Sequence, residues 1–235
     1  GACGCLHGCE VRASPYKTLG NNLPDGNIPV SPSRTGAHRR EPERLWTVAC
    51  VGGGLMQDRR VLVTGGAGFL GSHLVERLSA RNEVTAFDDL STGSLRNLQG
   101  AKEEVRLHRA SILQPKALAK ALEGHDLVYH LAAKTSVPES VAKPDEYWRT
   151  NVEGTLNVLK AAVHAGVRRL VFASSASVYG SSEVVPKLES MRPEPASPYA
   201  TTKMVGEFAC EEIAQFKPIE TVVLRVFNAY GPRQD

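Results

Sequence analysis

From Arg60 onward, short apolar and β-branched runs alternate with longer amphipathic ones. The short runs predict strands over 60–64, 83–87, 104–108, 126–131, 169–173 and 221–226. The longer runs predict helices over 69–80, 116–122, 145–165 and 198–216. Only the stretch from Asp88 to Lys102 lacks a strong helical pattern. Strict β-α alternation specifies an α/β, doubly wound parallel sheet, covered on both faces and joined by right-handed crossovers. Residues 1–55 differ in kind. They carry no sustained apolar period, and Pro15, Pro24, Pro29, Pro32 and Pro42 punctuate them. They are expected to be a disordered N-terminal extension, with the natural polypeptide starting at Met56 and residues 56–235 forming the folded domain.

The most informative join lies between the first strand and the first helix. Val61, Leu62 and Val63 end in Thr64-Gly-Gly-Ala-Gly-Phe-Leu-Gly71, after which the amphipathic run opens. Backbone N–H groups, a helix dipole and missing Cβ atoms make such a loop a cradle for phosphate. Gly66-Ala-Gly68-Phe-Leu-Gly71 fits G-x-G-x-x-G, a pattern common enough to be weak alone. Context strengthens it. Asp88 lies 20 positions beyond Gly68, at the end of the second predicted strand, where a carboxylate can accept from an adenosine ribose. The reading is a Rossmann-type dinucleotide site; the alternative is a tight turn with no ligand.

Composition sets limits without redirecting this. Hydrophobic residues make up 42% and charged residues 23%, ordinary for a globular chain with a sizeable core. A net charge of +3 gives no reason to expect a nucleic acid or an anionic membrane as partner. No apolar run approaches the ~20 residues of a transmembrane helix. The run Leu45–Val51 sits too far into the chain for a signal peptide. Cys3, Cys5, Cys9 and Cys50 precede the glycine loop and only Cys210 follows it, so no disulfide framework is expected and a reducing cytoplasm is the natural setting. Cys3, Cys5, His7 and Cys9 are too crowded for a zinc site, and no metal is expected.

Two further segments carry chemistry. Tyr199 and Lys203 stand at i and i+4 on one helical face, behind a Ser197 cap and Pro198. An ammonium held beside a phenol lowers its pKa towards neutrality, making Tyr199 a usable general base. Tyr-x-x-x-Lys alone is also compatible with a half-buried tyrosine and a solvated lysine. Some 25 residues earlier, a buried strand ends in Ser174-Ser-Ala-Ser-Val-Tyr-Gly180. In a parallel sheet ligands sit beyond the carboxyl ends of strands, so these serines would face the dinucleotide crevice.

Together these segments resemble the extended short-chain dehydrogenases/reductases, in the NAD-dependent nucleotide-sugar epimerase/dehydratase group, and are most similar to UDP-glucose 4-epimerases. The resemblance runs from about Arg60 to Asp235 and includes His130-Leu-Ala-Ala133, Asn151-Val-Glu-Gly-Thr155 and Arg225-Val-Phe-Asn-Ala-Tyr-Gly-Pro232. It implies that Gly65, Gly68, Phe69, Leu70 and Gly71 hold the pyrophosphate of NAD and Asp88 its adenosine ribose. Leu131, Ala132 and Ala133 would line the cofactor wall, with Asn151 in the supporting polar network. Tyr199 would be the base, Lys203 would bind the nicotinamide ribose, and Ser175 would bond the reacting sugar hydroxyl. Asn228 would contact the diphosphate of a nucleotide-sugar substrate, a UDP-sugar by the resemblance. The implied reaction is transient oxidation at carbon 4, by hydride transfer to bound NAD and return to the opposite face. Asp88 repels a 2′-phosphate and Asp89, Leu90 and Ser91 supply no arginine, so NAD is expected over NADP.

Three departures qualify the resemblance. Ser111, beside Ile112, stands where the family has an aspartate for the adenine amino group. Ala176 and Ser177 replace the acidic residues typical of dehydratases and decarboxylases, which favours epimerisation. The chain stops soon after Gly231-Pro-Arg-Gln234, whereas family members continue into a smaller lobe, so the C-terminal substrate lobe is expected to be largely missing. A homodimer through helices 145–165 and 198–216 is implied for the full-length protein. Other readings are a UDP-glucuronate decarboxylase or 4-keto-sugar reductase on the same scaffold, and a non-catalytic NAD-binding module.

Overall fold

The computed structural model of the chain describes residues 9–13 and 56–234. Seven strands form one sheet in the order β1-β7-β6-β5-β2-β3-β4. They are β1 (Cys9–Ala13), β2 (Arg60–Thr64), β3 (Glu83–Asp88), β4 (Arg106–Arg109), β5 (Leu127–His130), β6 (Arg169–Ser175) and β7 (Glu220–Val226). Strands β2 to β7 are parallel to one another. Their order, with β2 at the centre and the chain running outward first through β3 and β4, then through β5, β6 and β7, is that of a dinucleotide-binding doubly wound sheet. The reversal falls between β2 and β5, and opens a crevice above their carboxyl ends.

Strand β1 was not expected. Its backbone runs antiparallel to β7, with Cys9 opposite Val226 and Ala13 opposite Val222. These five residues of the expected extension are therefore a strand, added to a sheet edge that would otherwise leave backbone groups unpaired. The rest of residues 1–55, the crowded Cys3, Cys5 and His7 included, lies outside the described residues.

Alternation along β2 explains the two cores. Val61 and Val63 pack with Val75, Val84 and Ala86 on one face of the sheet. Leu62 points to the other, among Leu118, Leu122, Val158, Leu159, Leu170 and Phe172. Helix α1 (Phe69–Ser79) supplies the first cluster. Helices α2 (Pro115–Leu122), α5 (Gly154–His164) and α6 (Pro198–Phe216) supply the second. A fully buried Val or Leu contributes roughly 1.5–3 kcal/mol, so a strand buried on both faces is firmly placed.

The predicted helix over 145–165 is broken in the structure. Short helices α3 (Val137–Ala142) and α4 (Pro144–Tyr147) come first, a wide π-helical turn spans Trp148–Glu153, and α5 follows. The bulge carries Asn151, whose side chain bonds outside its own helix; π turns of this kind recur at functional sites. A capping signal for α3 is present in the sequence: Ser136 Oγ accepts from Glu139 N at 3.3 Å, and Pro138 occupies the first turn. Among the described residues, no helix is long and apolar enough to cross a membrane.

Candidate active site

Each glycine of the loop after β2 has a separate geometric reason. Gly65 has φ +67°, and a Cβ there would lie 2.8 Å from the backbone nitrogen of Ala132. Gly71, in the first turn of α1, passes so close that a Cβ would sit 1.9 Å from the Gly65 carbonyl oxygen. Gly68 is different: the nearest atom to its virtual Cβ is Gly65 O at 3.3 Å, and the space beyond is open. The first glycine makes the turn, the last lets helix and strand approach, and the middle one leaves room for a ligand. Gly68 is also the N-cap of α1 and offers no side-chain cap, so the first helical N–H groups, including those of Phe69 and Leu70, remain free to bond an anion. Such a cradle fits a dinucleotide pyrophosphate.

Asp88 ends β3 next to this loop and is buried. Its Oδ2 accepts from Ala67 N at 2.9 Å and its Oδ1 from Leu90 N at 2.8 Å. Asn97 Nδ2 and Ser94 N both donate to the Ala67 carbonyl, so the crest of the loop is clamped from two sides. The carboxylate thus first holds the loop in shape. Each oxygen keeps acceptor capacity for a ribose hydroxyl.

The second half of the site is built by β6 and α6. Ser197 Oγ caps α6 through Ala200 N at 3.1 Å and Pro198 fills its first turn, which fixes where the helix begins. From that start, Tyr199, Lys203 and Glu207 fall on successive turns of one face and are all buried. Each turn engages the end of β6. Ser175 stands beside the Tyr199 phenol. Lys203 Nζ donates to Ala173 O at 2.8 Å, and Ser174 Oγ donates to Glu207 Oε1 at 2.5 Å. Ser175 Oγ itself accepts from Ser177 N at 3.1 Å and from Ser177 Oγ at 2.9 Å.

Electrostatics here departs from the sequence expectation. Burial pushes the Tyr199 phenol above its ordinary value, with the neighbouring Ser175 hydroxyl opposing it. Lys203 is pulled down to about 8, again by burial. Its ammonium is engaged with the Ala173 carbonyl and sits 5.1 Å from the centre of the Phe172 ring. Lys203 therefore does not by itself draw the phenol towards neutrality in this structure. Three ammonium donors less one leave two for other partners.

Other predicted residues fall into two groups. Leu131, Ala132 and Ala133 follow β5 directly over the glycine loop, with Leu131 N donating to Thr64 O at 3.2 Å. Asn151 holds the end of this segment, accepting from Lys134 N at 2.8 Å and donating to Lys134 O at 3.0 Å. These converge on the crevice. Ile112 does so less directly: its side chain is core, and a Cβ on Gly154 would lie 2.5 Å from its Cδ1. Ser111 Oγ accepts from Leu113 N at 3.4 Å at the mouth of the β4–α2 loop. Asn228 is exposed, two residues past the end of β7. Sequence reasoning missed Thr64, His130, Thr202, Glu207 and Arg225, all buried polar residues in helices or strands whose periodicity marks them as facing inward.

Comparison with known proteins agrees with this geometry. Residues 61–235 match the NAD dependent epimerase/dehydratase family. A UDP-glucose 4-epimerase from Azospirillum brasilense is 38% identical over 175 residues, covering 73% of this chain and 49% of the relative. A UDP-N-acetylglucosamine 4-epimerase from Methanobrevibacter ruminantium, solved with UDP-N-acetylmuramic acid, superposes with a TM-score of 0.74 at 39% identity, over 77% of this chain and 58% of that one. A dTDP-glucose 4,6-dehydratase from Streptomyces venezuelae, solved with NAD bound, follows with a TM-score of 0.69 at 36% identity, over 74% and 57%. The chain spans about half the length of the curated relatives it matches. With residues 61–235 matching this family model, beside a glycine cradle, an acidic residue ending β3 and a Ser–Tyr–Lys cluster, the chain belongs to the NAD-dependent epimerase/dehydratase family, and its cofactor is NAD.

Proposed function

We propose that this chain is the cofactor-binding part of an epimerase that inverts carbon 4 of a sugar carried on UDP. The observation that carries this is the meeting of Ser175, Tyr199 and Lys203 beside the glycine cradle, since a module that only sensed NAD would need no proton-transfer set. When bound, NAD supplies the acceptor for the hydride from carbon 4 and gives it back. The protein's own work is proton handling and position. Tyr199 takes the proton of the 4-hydroxyl, and Ser175, oriented by Ser177, bonds that hydroxyl. Lys203 offers its two remaining donors to the nicotinamide ribose and brings positive charge near the phenol. Together with the cationic ring, this opposes the rise that burial imposes on Tyr199. Asp88 accepts from the adenosine ribose and disfavours a 2′-phosphate. Asn228, exposed beyond β7, contacts the substrate diphosphate in this reading.

Ala176 and Ser177 occupy the turn after β6, so an acid for elimination is missing where a dehydratase keeps one. That favours epimerisation over loss of water or carbon dioxide. Val141, Trp148 and Phe208 are 65%, 47% and 54% exposed on α3, the π turn and α6, which supports a homodimer through this face. The test is product analysis. Given UDP-glucose and catalytic NAD, the chain joined to the C-terminal half that its relatives carry should yield UDP-galactose without net NADH; release of carbon dioxide from UDP-glucuronate, or no reaction of that longer chain with any UDP-sugar, overturns the reading.

A further inference from the structure

Beneath the crevice, a continuous run of polar groups joins the two halves of the site. Thr64, His130, Thr155, Asn151 and Thr202 are each at most 2% exposed. Starting at the cofactor side, Ala132 N donates to Thr64 Oγ1 at 3.3 Å, and Thr64 Oγ1 lies 2.7 Å from His130 Nδ1. His130 Nε2 lies 2.9 Å from Thr155 Oγ1, which donates to Asn151 O at 2.5 Å. Asn151 Nδ2 then donates to Thr202 Oγ1 at 3.0 Å, and Thr202 Oγ1 donates to Tyr199 O at 2.7 Å. The run begins at the residue that opens the glycine loop and ends on the backbone of the proposed base.

The direction of the run is determined by its fixed ends. A carbonyl can only accept, so the single Thr155 proton goes to Asn151 O and Thr155 can only accept from His130. Nitrogen Nε2 must then carry hydrogen. Thr64 Oγ1 already accepts from Ala132 N, and its own proton finds its acceptor at Nδ1 only if that nitrogen is bare. An imidazolium would leave the Thr64 hydroxyl proton buried with no partner along this run. One arrangement matches every donor with an acceptor.

We propose that His130 is a positioning residue, held as the neutral Nε2–H tautomer, that locks the glycine loop in register with the helix carrying Tyr199. It touches neither sugar nor cofactor. Its surroundings agree: the ring packs 5.6 Å from Phe172, which also lies under the Lys203 ammonium, and burial with that like charge holds the imidazole down at about 3. The proposal concerns how the two halves are held, and its first test does not depend on the epimerase reading.

Nitrogen-15 NMR of the unmodified 235-residue chain should show His130 with a pyridine-type Nδ1 and a pyrrole-type Nε2, unchanged from pH 5 to 8. The opposite tautomer, or titration within that range, overturns the proposal. The second test is affinity for NADH. His130→Leu removes both polar ends and should weaken binding about tenfold, since buried partners are left unpaired. His130→Gln keeps one acceptor and one donor in the required order and should recover part of that loss. Equal NADH affinity in the parent and both variants overturns the proposal. Should His130→Leu not fold, the tautomer signature and the His130→Gln titration still decide. Failure of UDP-sugar turnover by the longer chain, with a correct tautomer, would count against the epimerase reading alone.

Discussion

Replacing Glu207 by Gln changes one atom and no volume, so a packing argument predicts almost no effect on stability. The structure predicts a large one. Glu207 and Arg225 form a buried pair, their side chains 7% and 6% exposed, with Nη2 to Oε2 at 2.8 Å. Arg225 Nε adds contacts at 3.0 and 3.2 Å, and Ser174 Oγ adds another at 2.5 Å. The guanidinium also lies 4.8 Å from the centre of the Tyr179 ring. Gln offers one acceptor where the carboxylate had two, turns an amide donor towards Arg225, and leaves that cation buried without a counter-charge. Breaking one side of a buried pair costs about 3–5 kcal/mol, against a total of about 5–15 kcal/mol for a typical domain. Urea unfolding of the parent and Glu207→Gln chains measures this directly, provided the slopes match. Removing both charges, as Glu207→Leu with Arg225→Met, should cost far less than the sum of the single changes, with a coupling of at least about 2 kcal/mol. A Gln variant within about 1 kcal/mol of the parent, or additive single changes, would refute the view that this pair anchors the catalytic helix.

Three other outcomes follow from the site. Gly71→Ala should abolish NADH binding and destabilise the fold by about 3 kcal/mol or more, because its Cβ would meet backbone at 1.9 Å; Gly68→Ala should fold within about 1 kcal/mol of the parent yet bind NADH weakly, as read by fluorescence titration. Asp88→Ala should narrow the preference for NADH over NADPH, and equal affinities in the unmodified chain would contradict the ribose assignment; because Asp88 also holds Ala67 N, the variant should lose some stability as well. Lys203, lowered from 10.5 to about 8, makes the unfolded chain the better proton binder between those values, so its contribution to stability rises with pH across that window. Tyr129, Tyr147 and Tyr199, raised above 10.0, act oppositely at the top of it, so the measurement is the difference between parent and Lys203→Met, which should lack the rise.

The sheet and the cofactor loop were largely legible in the sequence because both are local. A short continuous apolar run placed β2 and a helical pattern placed α6 at the residues observed, and Ser197 and Pro198 marked the start of α6 without tertiary information. What was hidden depended on partners distant in the chain. The π turn at Trp148–Glu153 reads as ordinary helix until Asn151 meets Lys134 and Thr202. Strand β1 exists by pairing with β7, more than 200 residues away; its alternating Cys9-Glu-Val-Arg-Ala13 is one short run with no partner strand nearby in the sequence. The expected pull of Lys203 on Tyr199 followed from their spacing. Spacing could not show that the ammonium bonds Ala173 or that burial dominates the phenol. Glu207 and Arg225 drew no separate reading from the sequence, since the pairing of two charges 18 residues apart shows only in the fold.

The most direct measurement follows deuterium placed at carbon 4 of UDP-glucose through turnover, with NAD, by the chain joined to the C-terminal half that its relatives carry. Proton removal by Tyr199, with the hydride held in the site and returned to the opposite face, predicts UDP-galactose that keeps its deuterium at carbon 4. It also predicts that Tyr199→Phe lowers the rate about 10²–10⁴-fold while NADH binding survives. Loss of the label to solvent, a dehydrated or decarboxylated product, or near-normal epimerisation by Tyr199→Phe at neutral pH would contradict it.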